Sequence, residues 1–276
     1  MPYRNAPYYM LACIGIILLG FWPTYFSATT TAPWQFHAHG VAAGMWVLMV
    51  TGQSWTAQHK NQLQLHRTVG KASLFLFPFL IGGLAAIISR QGQDYVAGDP
   101  VNLLDGPGFL IGTIVAIAAY VTVYYRALKY RRKVWAHAGY MLSTPLILFE
   151  SPFSRAMGIV MPARFGVAGP ADFPHIMETI VISCVIELAI IAIIWWRVRE
   201  RATPFLVTGG FVVVEMLTMI YASNVAALRW LDVIIGHTPG PLIWATGFAI
   251  GAATSWLGWQ AGKQGAVAPK AVAQPA

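Results

Sequence analysis

Eight long apolar stretches dominate this sequence of 276 residues. A helix needs about 20 mostly apolar residues to cross the hydrocarbon core of a bilayer. The stretches cover residues 8–27, 34–56, 70–89, 107–127, 134–160, 174–197, 203–226 and 239–261. The composition agrees with them, because 57% of the residues are hydrophobic and only 10% are charged. We therefore predict an all-α integral membrane bundle of about eight transmembrane helices.

The basic residues predict how this bundle is oriented. Lys and Arg are enriched in cytoplasmic loops, and 14 of the 18 fall on one side if the N-terminus is cytoplasmic. Both termini are then predicted to be cytoplasmic. Contact with anionic lipid headgroups explains the net charge of +8, so nucleic acid is not an expected partner. Residues 1–262 are predicted to form one transmembrane domain, and residues 263–276 a disordered cytoplasmic tail.

Three glutamates, Glu150, Glu187 and Glu215, fall inside the apolar stretches. A carboxylate at lipid depth costs several kcal/mol unless it is protonated, paired or facing an internal cavity. Each glutamate is therefore a candidate for a functional site. The alternative is that protonated carboxyls form hydrogen bonds between helices and serve only packing.

The fifth stretch is predicted to be a broken helix. Pro145 and Pro152 each remove a backbone donor, and Glu150 lies between them with Arg155 just beyond. Membrane helices tolerate such breaks where neighbouring groups or water satisfy the freed carbonyls. This segment is the best single candidate for the wall of a functional cavity. The competing interpretation is a kinked packing helix in which Arg155 compensates Glu150.

Histidines occur in two layers of the predicted bundle. His39 and His175 lie near the external surface, and His66 and His137 near the cytoplasmic one. Two b-type haems, each held by two imidazoles from different helices, would fit such layers and would carry electrons across the membrane. The most economical pairing is His39 with His175 and His66 with His137. The same four side chains also suit a metal site or a proton path through the mid-membrane glutamates.

On the second stretch, His39, Trp46 and Gln53 are spaced by seven residues and share one stripe of the helix. This stripe is predicted to be buried against other helices. His39 and Gln53 would lie about 21 Å apart along the axis, one near each surface.

Several sequence elements of this chain resemble those of known groups of proteins. They are residues 20–26 (GFWPTYF), His39-Gly40 with Trp46 and Gln53, residues 65–70 (LHRTVG), and His137 with Met141 and Arg155. In this order they resemble a broad group of bacterial inner-membrane proteins without an assigned activity. More loosely, the His-Gly and His-Arg elements are similar to those of b561-type transmembrane cytochromes. That second resemblance implies haem b as a cofactor, although the recurring spacing of paired histidines in those cytochromes is absent here.

Three hypotheses of function follow. The first is transmembrane electron transfer by haem b on His39, His66, His137 and His175, which would make the chain a membrane oxidoreductase acting with quinone or a small reductant. The second is a proton-coupled small-molecule transporter that uses Glu150, Arg155, Glu187 and Glu215. The third is an accessory or assembly subunit of a membrane complex or homo-oligomer, in which the polar groups only specify packing.

Overall fold

A computed structural model describes residues 3–264, and this part of the chain is helical without any β-strand. The helices are α1 (Ala6–Phe21), α2 (Trp34–Thr56), α3 (Leu63–Val96), α4 (Pro100–Lys129), α5 (Val134–Ile147), α6 (Glu150–Val160), α7 (Pro162–Phe165), α8 (Pro174–Val198), α9 (Thr203–Ala222), α10 (Arg229–His237) and α11 (Gly240–Gln264). The predicted tail lies outside the described residues except for positions 263 and 264, which belong to α11.

Three helical stretches of the described chain are long and apolar enough to cross a membrane. They are Lys60–Val96, Pro100–Lys129 and Pro170–Ala222. A fourth is obtained if Ala226–His237 and Gly240–Lys263, bent by 103° relative to each other, count as one span. The stretch Pro170–Ala222 includes both α8 and α9, which pack against each other as an antiparallel pair.

The predicted apolar stretches all fall on helices, but their ends differ. The first was predicted to reach residue 27, whereas α1 ends at Phe21 and has only 16 residues. Pro23 follows directly, and a proline cannot donate the next helical hydrogen bond. The chain then turns and forms a short 3-10 helix at Phe26–Ala28. The second stretch, residues 34–56, coincides with α2.

Helix α3 forms the centre of the bundle and packs against α2, α4, α10 and α11. Its inner face is fully buried at Phe77, Leu80 and Ile81. Gly83 allows α2 to come close, because a Cβ atom built there would lie 2.8 Å from the carbonyl oxygen of Ala38. Small residues at helix contacts are the usual means of close packing in membranes.

The predicted break in the fifth stretch is confirmed. Helix α5 ends at Ile147, two residues form a turn, and Glu150 opens α6. Pro145 cannot donate to the carbonyl of Met141, and the hydroxyl of Thr144 donates to that oxygen instead, at 2.8 Å. A side chain thus satisfies one carbonyl that the proline frees, as expected for a break within a membrane.

Candidate functional site

The break between α5 and α6 borders a cavity of about 620 Å³, here called the Arg155 cavity. Its walls come from helices α1 to α9. The ionisable side chains on its lining are His39, Tyr120, Glu150, Arg155 and Glu215. Three of the four residues of the transporter hypothesis therefore share one cavity. Its rim includes the exposed side chains of Thr24, Ile159 and Val167, so water can enter.

The three predicted glutamates form one cluster at this cavity. Glu150 and Glu215 line it, and their side chains are 8% and 7% exposed. Glu187 lies behind the lining, is 1% exposed, and is close enough for the charges of the other two to act on it. Its Oε1 atom is buried without a hydrogen-bond partner among the described residues. Because nearby carboxylates in a poorly solvated site repel one another, the cluster is suited to holding protons.

Arg155 faces the cavity with part of its guanidinium group uncommitted. Nη1 donates to the backbone oxygen of Ser151 at 2.9 Å and to its hydroxyl at 2.7 Å. The guanidinium carbon lies 5.1 Å from the ring centre of Phe21 on α1. No nitrogen of Arg155 lies within 4.0 Å of a carboxylate oxygen of Glu150, so the predicted compensation is not a direct ion pair. The two charges instead face a shared, accessible space.

The two histidines that were paired near the external surface differ in their contacts. His39 lines the Arg155 cavity, and its Nδ1 atom is buried without a partner in the described chain. His175 is not part of that lining, and its Nδ1 atom donates to the carbonyl oxygen of Gly166 at 3.1 Å. Near it, Glu178 forms an ion pair with Arg164 at the surface. The acceptor of His175, Gly166, lies on the lining of the Arg155 cavity, and the pairing of His39 with His175 stays a prediction.

A second cavity of about 620 Å³, here called the His137 cavity, lies at the opposite end of the bundle. His66 and His137, which were paired in the sequence analysis, both line it. The Nδ1–H group of His137 donates to the carbonyl oxygen of Ala127 at 2.9 Å, which leaves Nε2 as the free acceptor. The Nδ1 atom of His66 is buried without a partner among residues 3–264.

The His137 cavity is basic, in contrast to the Arg155 cavity. Its lining includes Arg67, Lys71 and Arg131, and no aspartate or glutamate is among the described residues that line it. The guanidinium of Arg131 also donates to backbone oxygens of Leu128 and Trp259, at 3.0 and 2.9 Å. Arg131 therefore joins the end of α4 to α11 at this cavity.

A closed layer of side chains, here called the septum, separates the two cavities. It comprises Trp46, Phe77, Tyr124 and Thr144, each no more than 1% exposed. The indole nitrogen of Trp46 donates to the hydroxyl of Thr144 at 2.9 Å, and the rings of Phe77 and Tyr124 stack at 4.0 Å. The hydroxyl of Tyr124 lies 2.8 Å from that of Ser73, which lines the His137 cavity.

The septum is thinnest at the broken helix. On α5, Leu142 lines the His137 cavity and Ile147 lines the Arg155 cavity. Five residues at 1.5 Å each amount to about 7.5 Å along the axis. The predicted stripe on α2 crosses the same layer: His39 lies in one cavity, Trp46 in the septum and Gln53 in the other cavity.

Sequence reasoning missed three parts of this arrangement. Tyr120 lines the Arg155 cavity from the middle of α4, Gln91 and Thr113 contribute polar groups to it, and Thr144 is the acceptor for Trp46. The only available signal was a polar or phenolic side chain within an apolar stretch. Such a signal does not identify the partner across the bundle.

Neither cavity contains a conventional multi-ligand metal centre. Within residues 3–264, no group of three or more His, Cys, Asp or Glu side chains is placed to hold a metal ion. A haem held by two histidines does not require such a group. No family model, curated protein or solved structure matches the chain, so the chemistry must be argued from the cavities themselves.

Proposed function

We propose that this chain is a proton-coupled carrier of a small molecule in the bacterial inner membrane. One observation supports this most: Glu150, Arg155 and Glu215 line a single cavity, with Glu187 buried behind them. Ionisable groups at lipid depth mark substrate, ion or proton pathways in membrane proteins. We further propose eight crossings with cytoplasmic termini, which place the Arg155 cavity outside and the His137 cavity inside.

The arrangement of cavities suits alternating access. Each cavity is about 620 Å³, and the septum blocks passage between them. A broken helix lies where the septum is thinnest, and discontinuous helices commonly form carrier sites near the midplane. A hinge at Leu148 and Phe149 would move α6, with Glu150 and Arg155, relative to Trp46 and Thr144. Substrate would then be exposed to one side at a time.

The glutamate cluster would couple this movement to protons. A proton that enters the Arg155 cavity can reach Glu150 or Glu215 directly, since both line it. Glu187 is sealed from water and carries an unpartnered oxygen, so it can accept a proton only from within the cluster. When protons bind to these glutamates, the charge of the cavity changes. Its affinity for a charged substrate then changes as well.

The test is uptake by purified protein in proteoliposomes with an imposed proton gradient. The probe is a mixture of small metabolites, and accumulation inside the vesicles is followed by mass spectrometry. We expect gradient-dependent uptake of one component class, abolished by Glu187→Gln and Glu215→Gln. Glu178→Gln is the matched control, because Glu178 lies on the same helix as Glu187 but is paired with Arg164 at the surface. Absence of gradient-dependent uptake by the unmodified protein, or uptake in both cluster variants that equals that of the unmodified protein, refutes the proposal.

A second candidate function, electron transfer by a single haem b, is favoured by the His137 cavity. His66 and His137 share this cavity, and Arg67, Lys71 and Arg131 line it. These histidines would hold the iron, and the basic groups would offset the charge of two propionates. A bound haem b supplies one-electron redox chemistry with a quinone or small reductant. The fixed Nδ1–H of His137 leaves Nε2 available as a ligand.

The haem proposal is tested by a reduced-minus-oxidised visible spectrum of the protein purified after growth with a haem precursor. We expect a b-type difference band that disappears in His137→Ala. His59→Ala is the matched control, because His59 lies at the same end of the bundle, is exposed, and does not line the cavity. A colourless protein, or a band that persists in His137→Ala, removes this candidate.

A further inference from the structure

We infer that the Arg155 cavity binds a small zwitterion with an apolar side chain, of about the size of an amino acid. As a statement about the transported substrate, this rests on the proposed carrier function. The inference comes from the charges that face the cavity, from the distance between them, and from the apolar part of the wall.

Opposite charges face this cavity without neutralising each other. Glu150 and Arg155 both line it, yet their charged atoms are more than 4.0 Å apart. Among the described residues, Arg155 donates only to Ser151, and only through Nη1. The remaining guanidinium donors can bind a carboxylate in the two-pronged geometry that arginine prefers. An ammonium group on the neighbouring carbon of the same ligand can then face Glu150.

The balance of charge favours a zwitterion over a simple ion. When Glu187 and Glu215 are both protonated, Glu150 and Arg155 present one negative and one positive charge to the cavity. A ligand with one charge of each sign satisfies both. A simple carboxylate leaves Glu150 without a partner and a simple amine leaves Arg155 without one, so each single-charge ligand makes only one of the two charge-assisted contacts.

The rest of the lining suits an apolar side chain. Leu84, Ile87, Phe109 and Met219 line the cavity from α3, α4 and α9. A volume of about 620 Å³ lies within the range of roughly 300–1,000 Å³ found for small-molecule sites. Burial of a branched aliphatic side chain against this wall adds affinity in proportion to the apolar area removed from water.

Binding can be measured without a transport assay, by titration calorimetry on the protein in lipid nanodiscs. The probes are L-leucine, leucinamide and 4-methylpentanoate, which share one aliphatic side chain and differ in charge. We expect L-leucine to bind and each single-charge analogue to bind at least tenfold more weakly. Equal or tighter binding of either analogue, or no heat with L-leucine, overturns the inference.

Substitutions locate the binding site. Arg155→Gln and Glu150→Gln should each weaken L-leucine binding at least tenfold, and Arg155→Lys should restore part of the loss. Arg164→Gln is the control, because Arg164 is exposed, does not line the cavity, and forms its ion pair with Glu178. A thermal unfolding curve for each variant checks that it is folded. Unchanged binding in folded Arg155→Gln places the ligand elsewhere and overturns the assignment.

The outcome is distinguishable from that of the carrier proposal. Selective binding of L-leucine without gradient-dependent uptake refutes the carrier proposal but supports the zwitterion site. Gradient-dependent uptake of another class of compound, without L-leucine binding, supports the carrier and overturns the zwitterion site.

Discussion

Replacement of Thr144 by valine tests how much one hydrogen bond within the septum contributes to the stability of the fold. The side chain keeps its shape, but the indole N–H of Trp46 loses the acceptor that now lies at 2.9 Å. Trp46 is 1% exposed, so water cannot replace that acceptor. An unsatisfied buried donor costs about 1–3 kcal/mol, and we expect Thr144→Val to lower the free energy of unfolding by that amount.

Thr208→Val is the matched control for this substitution. Thr208 is also fully buried, and its hydroxyl donates only to a carbonyl of its own helix, that of Pro204 at 3.3 Å. Both variants lose one such intrahelical bond, because Thr144 donates to Met141. Only Thr144→Val leaves an unpaired donor across the bundle. The difference between the two variants therefore contains the contact with Trp46 and the loss of the hydroxyl donor that serves the carbonyl of Met141 in place of Pro145. A Trp46→Phe background separates these two contributions.

The assay is denaturant-induced unfolding in detergent micelles, followed by circular dichroism, for both variants and for the same substitutions in a Trp46→Phe background. We expect the additional cost of Thr144→Val to be smaller in that background, because the indole donor is absent and only the loss at the carbonyl of Met141 remains. Two results would refute the reasoning: equal costs for the two threonine substitutions, or an additional cost that is undiminished in Trp46→Phe.

Two further substitutions test the helix contacts around the cavities. Gly83→Ala should destabilise the fold by about 1–3 kcal/mol, because the new methyl group would lie 2.8 Å from the backbone of α2. Gly44→Ala is the control: no atom lies within 4 Å of the position of its new methyl group, so the substitution should be neutral or stabilising. Arg131→Lys should lower the thermal unfolding temperature. Lysine cannot keep both hydrogen bonds to backbone oxygens together with the stacking of the guanidinium group, which lies 4.3 Å from the ring centre of Trp259. Arg132→Lys is the control and should leave the unfolding temperature unchanged, because Arg132 is exposed. Equal shifts within either pair would contradict the described contacts.

Local features of the sequence predicted the helices and the break between α5 and α6. Apolar length identifies membrane helices, and proline removes a donor wherever it occurs, so neither inference requires knowledge of distant residues. The stripe of His39, Trp46 and Gln53 was predicted for the same reason, because spacing by seven fixes a common face. The end of α1 at Phe21 was missed, since hydropathy continues past the proline that stops the helix.

The candidate site was predicted only as a set of residues. Sequence reasoning selected Glu150, Glu187 and Glu215 because carboxylates at lipid depth are costly, and the structure places all three in one cluster. It also paired His39 with His175 by depth alone. Depth does not fix the direction in which a helix face points. The structure adds that His175 bonds to Gly166 on the lining of the cavity that contains His39.

The sequence by itself therefore determined that this chain forms apolar helices, which of them is broken, and which ionisable residues lie within them. Hydropathy and backbone hydrogen bonding act along the chain and can be read from it directly. The tertiary structure alone decided that one cavity is acidic and the other basic, and that Trp46 bonds to Thr144 between them. These contacts depend on how each helix is rotated about its axis and packed against helices that are distant in sequence. Side chains from several helices must fit together, and no local part of the sequence specifies that fit.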